Sequence, residues 1–266
     1  MTKYPVGIVI YKFFCLLFYP LIIFYYKYRK YKGKEDRLRF NERLGVPSIE
    51  RPEGKVIWFH CSSVGEVLSA LPVISMLEKK VDANFLITSG TITSAKILEN
   101  KLSKNIFHQY IPIDLNKYNN KFINHWKPDL VFWVESELWP NILLLLQKNN
   151  IKHLMINARM SENSFKKWKY FFATARKILS GFDTCFTQSK KDEFKFKFFE
   201  MKHVINLGNF KYFSPKLKFD EEQFIILKKV LEKRSVWLAA STHEGEELLV
   251  TNIHKTLVKK YPIYLQ

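Results

Sequence analysis

From Lys55 onward the chain alternates short apolar runs with longer stretches of helical periodicity. The runs Val56–His60, Asn84–Thr88, His108–Ile111, Leu130–Val134, His153–Ile156 and Thr184–Thr187 have the length of strands. Helical patterns fall near Gly65–Lys80, Ile92–Leu102, Asn116–Trp126, Pro140–Lys148, Ser164–Leu179 and Lys191–Phe198. This βα rhythm predicts an α/β fold, with one doubly wound, Rossmann-like parallel sheet over residues 55–206. Residues 207–220 hold Gly, Asn, Ser and Pro without periodicity and read as a linker. Residues 221–266 predict a helix near Glu221–Lys233, a strand at Val236–Ala240 and a helix near Gly245–Tyr261. That is one βα unit, short of the roughly 100–150 residues of a complete domain.

The amino terminus has a different pattern. Gly7–Tyr26 carries one charge, Lys12, and as one helix would reach about 30 Å, the thickness of a hydrocarbon core. Pro20 predicts a kink, Tyr25, Tyr26 and Tyr28 suit an interfacial belt, and Lys27, Arg29, Lys30, Lys32 and Lys34 follow. Residues 1–31 therefore read as a membrane anchor, including shallow insertion, or else as a buried amphipathic helix. Residues 32–54 form a basic connecting segment, and the positive charge after the apolar stretch places the body on the cytoplasmic side.

Charge and cysteine content narrow the chemistry. Lys plus Arg total 43 against 25 Asp plus Glu, a net +18 that points to an anionic partner such as acidic lipid or a phosphorylated small molecule. Nucleic acid would rest on charge and on Phe194, Phe196, Phe198 and Phe199 among lysines, which a helix face explains equally, so it is not expected. Cys15, Cys61 and Cys185 are odd in number and widely spaced, which indicates neither a disulfide framework nor a zinc module. No P-loop or dinucleotide fingerprint occurs, and His243-Glu244 fails the H-E-x-x-H pattern because position 247 is Glu, so no metal site is expected.

In open α/β sheets ligands bind beyond the carboxyl ends of the strands. The first such junction is His60 to Glu66 (HCSSVGE), where small residues allow close backbone approach. Glu66 falls in the first turn of a helix, where it can accept a proton from a hydroxyl or simply cap the helix. The second is Glu135 to Asn141 (ESELWPN), whose Glu135 and Glu137 can bind sugar hydroxyls, orient a base or pair with Arg159. Arg159 lies in Asn157 to Ser161 (NARMS), a place for bidentate anion binding. A third stretch, Ser241 to Glu247 (STHEGEE), offers hydroxyls and amides to a phosphate or carboxylate, with Glu246 and Glu247 as first-turn residues.

These junctions, with Arg39 to Gly45 (RFNERLG), Thr88 to Thr91, Pro112 to Asp114, Trp126 to Leu130 and Gly208 to Tyr212, resemble in order and spacing the 3-deoxy-D-manno-octulosonic acid (Kdo) transferases. These are metal-independent inverting glycosyltransferases of the GT-B fold. The resemblance implies transfer of Kdo from CMP-Kdo, with no cofactor, to a lipid A precursor at the cytoplasmic face of the inner membrane. It implies that Glu66 is the general base and that Glu135 or Glu137 is a second required acid, Glu135 being favoured. Ser63, Gly65, Ser89, Gly90, Thr91 and Arg159 would lie near the acceptor, and Ser241, Thr242, Gly245 and Glu246 near the donor. In the family the carboxyl-terminal domain is a second full doubly wound unit. Here its second strand begins at Tyr261–Tyr264 and the chain stops at Gln266. The expectation is a truncated or split transferase that needs a complementary carboxyl-terminal chain. The alternative is a catalytically inactive, membrane-associated binder of acidic lipid.

Overall fold

The computed structural model describes residues 4–99, 103–135, 137–213, 219–231 and 236–260. The chain divides into two compact units, Met1–Ser214 and Pro215–Gln266.

The first unit is an α/β layer structure. Its strands are β1 (Val56–Cys61), β2 (Asn84–Ser89), β3 (Ile106–Tyr110), β4 (Leu130–Val134), β5 (Lys152–Ala158), β6 (Thr184–Thr187) and β7 (Val204–Asn206). Its helices are α1 (Val6–Leu17), α2 (Tyr19–Tyr31), α3 (Val64–Glu78), α4 (Ile92–Glu99), α5 (Asn116–Trp126), α6 (Pro140–Lys148), α7 (Glu162–Tyr170), α8 (Phe172–Leu179) and α9 (Lys190–Phe198). All strand pairs are parallel, in the order β3-β2-β1-β4-β5-β6-β7. The order reverses between β1 and β4, where a doubly wound sheet opens its crevice.

Both faces of the sheet are buried, which explains why its strands read as nearly continuous apolar runs. Along β1, Val56 and Trp58 pack on one face while Phe59 and Cys61 pack on the other. Trp58 meets Phe122 of α5 with ring centroids 4.9 Å apart and Trp133 of β4 at 5.9 Å. The helix starts are written locally: Ser63, Ser161 and Ser189 cap α3, α7 and α9 through their side chains, and Pro140 opens α6.

The first unit departs from the expectations at several points. The single pattern over Ser164–Leu179 is two helices, broken where Phe171 leaves helical geometry at φ −109° and ψ 39°. The three-residue β7, with only Val204 buried, was not expected. The apolar amino terminus is not one helix: Pro20 cannot donate to the carbonyl a turn earlier, and the chain breaks at Phe18. Among the described residues no single helix is long and apolar enough to cross a membrane, although α1 and α2, bent by 66°, pass that test together by length and composition.

The two amino-terminal helices pack on the body by one face. Ile8 is sealed in the main core, and Tyr11 donates its hydroxyl to Asp114 at 2.9 Å. Tyr19 and Tyr118 share a hydroxyl hydrogen bond of 2.7 Å. Outward, Phe13, Leu16, Leu21 and Phe24 are exposed.

The second unit has α10 (Glu221–Leu231) and α11 (Glu246–Lys260). The expected strand at Val236–Ala240 is not formed among the described residues; extended backbone needs a neighbour to share its ladder before it counts as sheet. The expected strand at Tyr261–Tyr264 lies outside the described residues.

Candidate active site

The crevice at the carboxyl ends of β1 and β4 gathers the acids expected from the sequence. Glu66 stands three residues after the helix cap Ser63, so its side chain turns back over the start of α3. Its Oε2 accepts the Ser62 N–H at 2.7 Å, and its Oε1 accepts the Ser63 hydroxyl at 2.9 Å. The residue is only 6% exposed. Burial pushes its carboxyl up to about 7, against the two donors that favour the ion; Glu135 and Glu137 add to the rise by like charge. A carboxyl poised there can exchange a proton near neutral pH. Gly65 lies in the same first turn of α3.

Glu135 ends β4 in the left-handed region, at φ +60°. A non-glycine residue there carries roughly 1–2 kcal/mol of strain, the kind of cost that functional sites retain. Its backbone is pinned by donation from Glu135 N to Ile156 O at 3.0 Å. On the neighbouring strand Asn157 adopts φ +51°, so two adjacent strand ends are bent at one edge of the crevice. Glu137 projects to the surface, where its Oε2 accepts the Ser62 hydroxyl at 2.6 Å and the Trp139 indole N–H at 2.9 Å.

Behind Ser62 runs a chain of hydrogen bonds. The Trp58 indole donates to Thr88 Oγ1 at 2.8 Å, Thr88 lies 3.0 Å from His60 Nδ1, and His60 Nε2 lies 3.1 Å from Ser62 Oγ. The indole can only donate, and Ser62 gives its proton to Glu137. The network therefore assigns the proton to His60 Nε2. Burial pushes the imidazole down to about 3, so it remains neutral, as the chain requires.

The RFNERLG segment frames the loop after β2. Arg43 donates to Gly90 O at 2.5 Å, to Ile111 O at 3.0 Å and to Glu35 Oε2 at 2.9 Å. Gly90 lies so close to β1 that an added Cβ would come 3.0 Å from Ser62 O. Thr91 caps α4 by accepting Ser94 N–H at 3.1 Å. Ser62, Gly90, Thr91 and Glu137 share the lining of one cavity of ≈ 260 Å³ with residues of α2. Ser89 does not join them: it is fully buried and its hydroxyl bonds His108 Nε2 at 2.9 Å, because inward orientation at the end of β2 takes it into the sheet layer. Ser63 spends its hydroxyl on Glu66. Arg159 is exposed just beyond β5 and is not among the residues lining this cavity.

Ser241, Thr242, Gly245 and Glu246, expected from the resemblance to meet the donor, lie in the second unit. Ser241 has φ +59° and Gly245 φ +91°, forming the turn into α11. Glu246 Oε2 accepts the His243 N–H at 2.8 Å, and Thr242 donates its hydroxyl to Glu247 at 2.7 Å. Among the described residues there is no group of three or more metal-ligating side chains.

Residues 38–214 match the profile of the 3-deoxy-D-manno-octulosonic-acid transferases. The chain belongs to this family. It is 37% identical over 252 residues to the 3-deoxy-D-manno-octulosonic acid transferase of Rickettsia bellii, covering 94% of this chain and 60% of that protein. The enzyme of the same name from Haemophilus influenzae is 30% identical over 260 residues, 93% of this chain and 59% of that protein. The chain thus spans about 60% of the length of these Kdo transferases. Among solved structures, UDP-GlcNAc 2-epimerase of Neisseria meningitidis superposes with TM-score 0.52 at 16% identity, over 79% of this chain and 64% of that one. That likeness speaks for the fold alone, which is of the GT-B type.

Ser62, His60, Arg43 and Trp139 lie inside the HCSSVGE, RFNERLG and ESELWPN stretches singled out in the sequence, which assigned no individual role to any of the four. The only signal for Ser62 was its place between the strand and the capping Ser63. Arg43 pairs with Glu35 eight residues away, but its carbonyl partners Gly90 and Ile111 lie 47 and 68 residues away, beyond any local pattern.

Proposed function

We propose that this chain takes part in the transfer of Kdo from CMP-Kdo to a lipid A precursor in lipopolysaccharide core synthesis. In the reaction the acceptor's glucosamine 6′-oxygen bonds to the anomeric carbon of Kdo while the bond from that carbon to the CMP phosphate oxygen breaks. The hydroxyl proton passes to the Glu66 carboxylate, and CMP leaves with the bonding electron pair. Attack opposite to the leaving group inverts the anomeric centre.

The observation that carries this reading is the Glu66 carboxyl, raised to about 7 and set at the β1–β4 crevice beside Glu135 and Glu137. Glu137 and Ser62 at the mouth suit the orientation of sugar hydroxyls, and Glu135 adds the like charge that helps to keep Glu66 raised. The donor would meet Ser241, Thr242, Gly245 and Glu246 of the second unit, completed by a further carboxyl-terminal segment in the same chain or a partner chain. The exposed apolar side chains of α1 and α2, followed by Lys27, Lys30, Lys32 and Lys34, suit docking at an anionic bilayer surface with the body in the cytoplasm.

The test is to incubate the membrane-bound protein, alone and with a co-expressed carboxyl-terminal half of a Kdo transferase, with CMP-Kdo and lipid A precursor. Release of CMP with formation of a Kdo-modified lipid supports the reading. Absence of transfer in every combination contradicts it.

A further inference from the structure

The cavity beside Glu137 has a second wall, which comes from the amino-terminal apolar helices; Glu66 lies behind its lining residue Ser62, whose amide it accepts. Tyr25, Tyr26 and Arg29 of α2 face Ser62, Glu137 and Trp139 across it. The two walls differ in charge. Glu35, sealed from solvent, accepts Arg29 Nε on Oε1 at 2.7 Å and Arg43 Nε on Oε2 at 2.9 Å. Two guanidinium groups thus share one carboxylate, and the cluster keeps one positive charge. Arg43 is buried and bound to backbone carbonyls. Arg29 is the member that lines the cavity, with 29% of its side chain exposed. Glu35, the Tyr25 side chain and, at 3.4 Å, the Lys34 carbonyl engage the guanidinium, which carries five N–H donors. The ring centroids of Tyr25 and Tyr26 lie 5.8 and 5.9 Å from its carbon, an aromatic setting that suits a sugar face next to a cation.

We propose that Arg29 binds a phosphate group on the same sugar that presents its hydroxyl to Glu66. The inference rests on the acceptor reading above and adds the anchor helix to the substrate site. A ligand with a phosphate at one edge and a hydroxyl at another is oriented by this cavity in one sense: Glu137 repels the phosphate and receives hydroxyl donors, while Arg29 does the reverse. The fork of a guanidinium matches phosphate oxygens in pairs, which a lysine cannot reproduce. At ≈ 260 Å³ the space falls below the roughly 300–1,000 Å³ of pockets that enclose a whole ligand. It holds one phosphorylated ring and leaves the acyl chains outside, on the side of the apolar helices. The same phosphate chemistry occurs in phospholipid headgroups, so the source is a point for experiment.

The test is a binding cycle in neutral detergent micelles, using an acylated glucosamine disaccharide with and without phosphate on the sugar bearing the 6′-hydroxyl. Wild type, Arg29→Gln and Arg29→Lys are titrated by calorimetry, with thermal unfolding of each as the control for folding. Removing the phosphate is expected to weaken wild-type binding on the order of tenfold or more, and Arg29→Gln binding little or not at all. Arg29→Lys is expected to recover only part of the difference. A phosphate effect of equal size in wild type and Arg29→Gln overturns the proposal while leaving the acceptor reading intact. So does a variant whose only defect is weaker flotation on phosphatidylglycerol vesicles, which would assign Arg29 to lipid headgroups. If wild type binds neither disaccharide, the acceptor reading itself fails.

Discussion

The Ser62 amide nitrogen lies 2.7 Å from Glu66 Oε2, and the hydroxyl of the same serine lies 2.6 Å from Glu137 Oε2. One residue thus holds a buried acid with its backbone and a surface acid with its side chain. It also keeps them apart in character, because Glu66 loses water while Glu137 retains it. Replacing Ser62 by Ala keeps the amide contact and removes the hydroxyl, leaving His60 Nε2–H unpaired in a closed setting. A stability loss of about 1–3 kcal/mol is expected, measured by urea unfolding. No loss would show that the hydrogen-bond chain from Trp58 carries no weight.

The raised carboxyl of Glu66 makes stability depend on pH. Its ordinary value is 4.5 and its folded value about 7, so the native state holds the proton more firmly than the unfolded chain. The contribution is fully present below about 4.5 and is lost as pH rises through about 7. Relative to Glu66→Gln, wild type is expected to lose up to about 3 kcal/mol between those limits. Parallel stability curves for the two proteins from pH 5 to 8 would remove the shift.

Glu135 offers a separation of stability from function. Its φ of +60° suits glycine, so Glu135→Gly relieves strain while adding flexibility to the unfolded chain. The two effects nearly offset, and the variant is expected to unfold within about 1 kcal/mol of wild type while transfer falls sharply. A loss of several kcal/mol would mean that the side chain holds the fold instead.

At Gly45 the outcome is the opposite. Its φ is +72°, and a Cβ would stand 2.2 Å from the Tyr118 carbonyl oxygen. Nothing there can yield without moving α5, so Gly45→Ala is expected to lower stability by more than about 2 kcal/mol. The readout is the unfolding midpoint by circular dichroism.

The outward face of the amino-terminal helices carries the membrane claim. Leu16→Asp with Phe24→Asp alters two exposed positions and leaves the buried contacts of Ile8 and Tyr11 in place. Flotation with anionic vesicles is expected to fall while the circular dichroism spectrum is unchanged. Equal flotation would place the bilayer contact elsewhere.

Much of the sheet was legible because apolar runs of strand length bounded by turn residues leave few alternatives. Leu130–Val134 shows this: the apolar run and the strand have the same two ends. The breaks were less legible. Phe171 sits inside a stretch whose aromatic spacing continues across it, and only packing against neighbours decides that the helix stops there. Pro20 was visible, yet its effect falls two residues earlier, at Phe18, because the carbonyl it cannot serve lies in the preceding turn. The place of Glu66 and Glu135 is legible because strand ends converge on one crevice whatever their neighbours, whereas position alone leaves capping and pairing open as their roles. Ser89 misled because a strand-end residue faces either the crevice or the interior, and the choice depends on register by a single residue. The Arg29–Glu35–Arg43 cluster joins residues six and eight positions apart, spacings that neither the helix nor the strand period pairs, so the turn after α2 and not a local pattern forms it.

The most direct measurement is the rate of Kdo transfer to the lipid acceptor between pH 5.5 and 8.5, with the donor half supplied, for wild type and Glu66→Gln. The expected result is a wild-type rate that rises with pH through about 7 as Glu66 ionises, and a Gln variant slower on the order of 10²–10⁴-fold that still binds acceptor. Transfer by Glu66→Gln at the wild-type rate, with the same pH profile, would contradict the account.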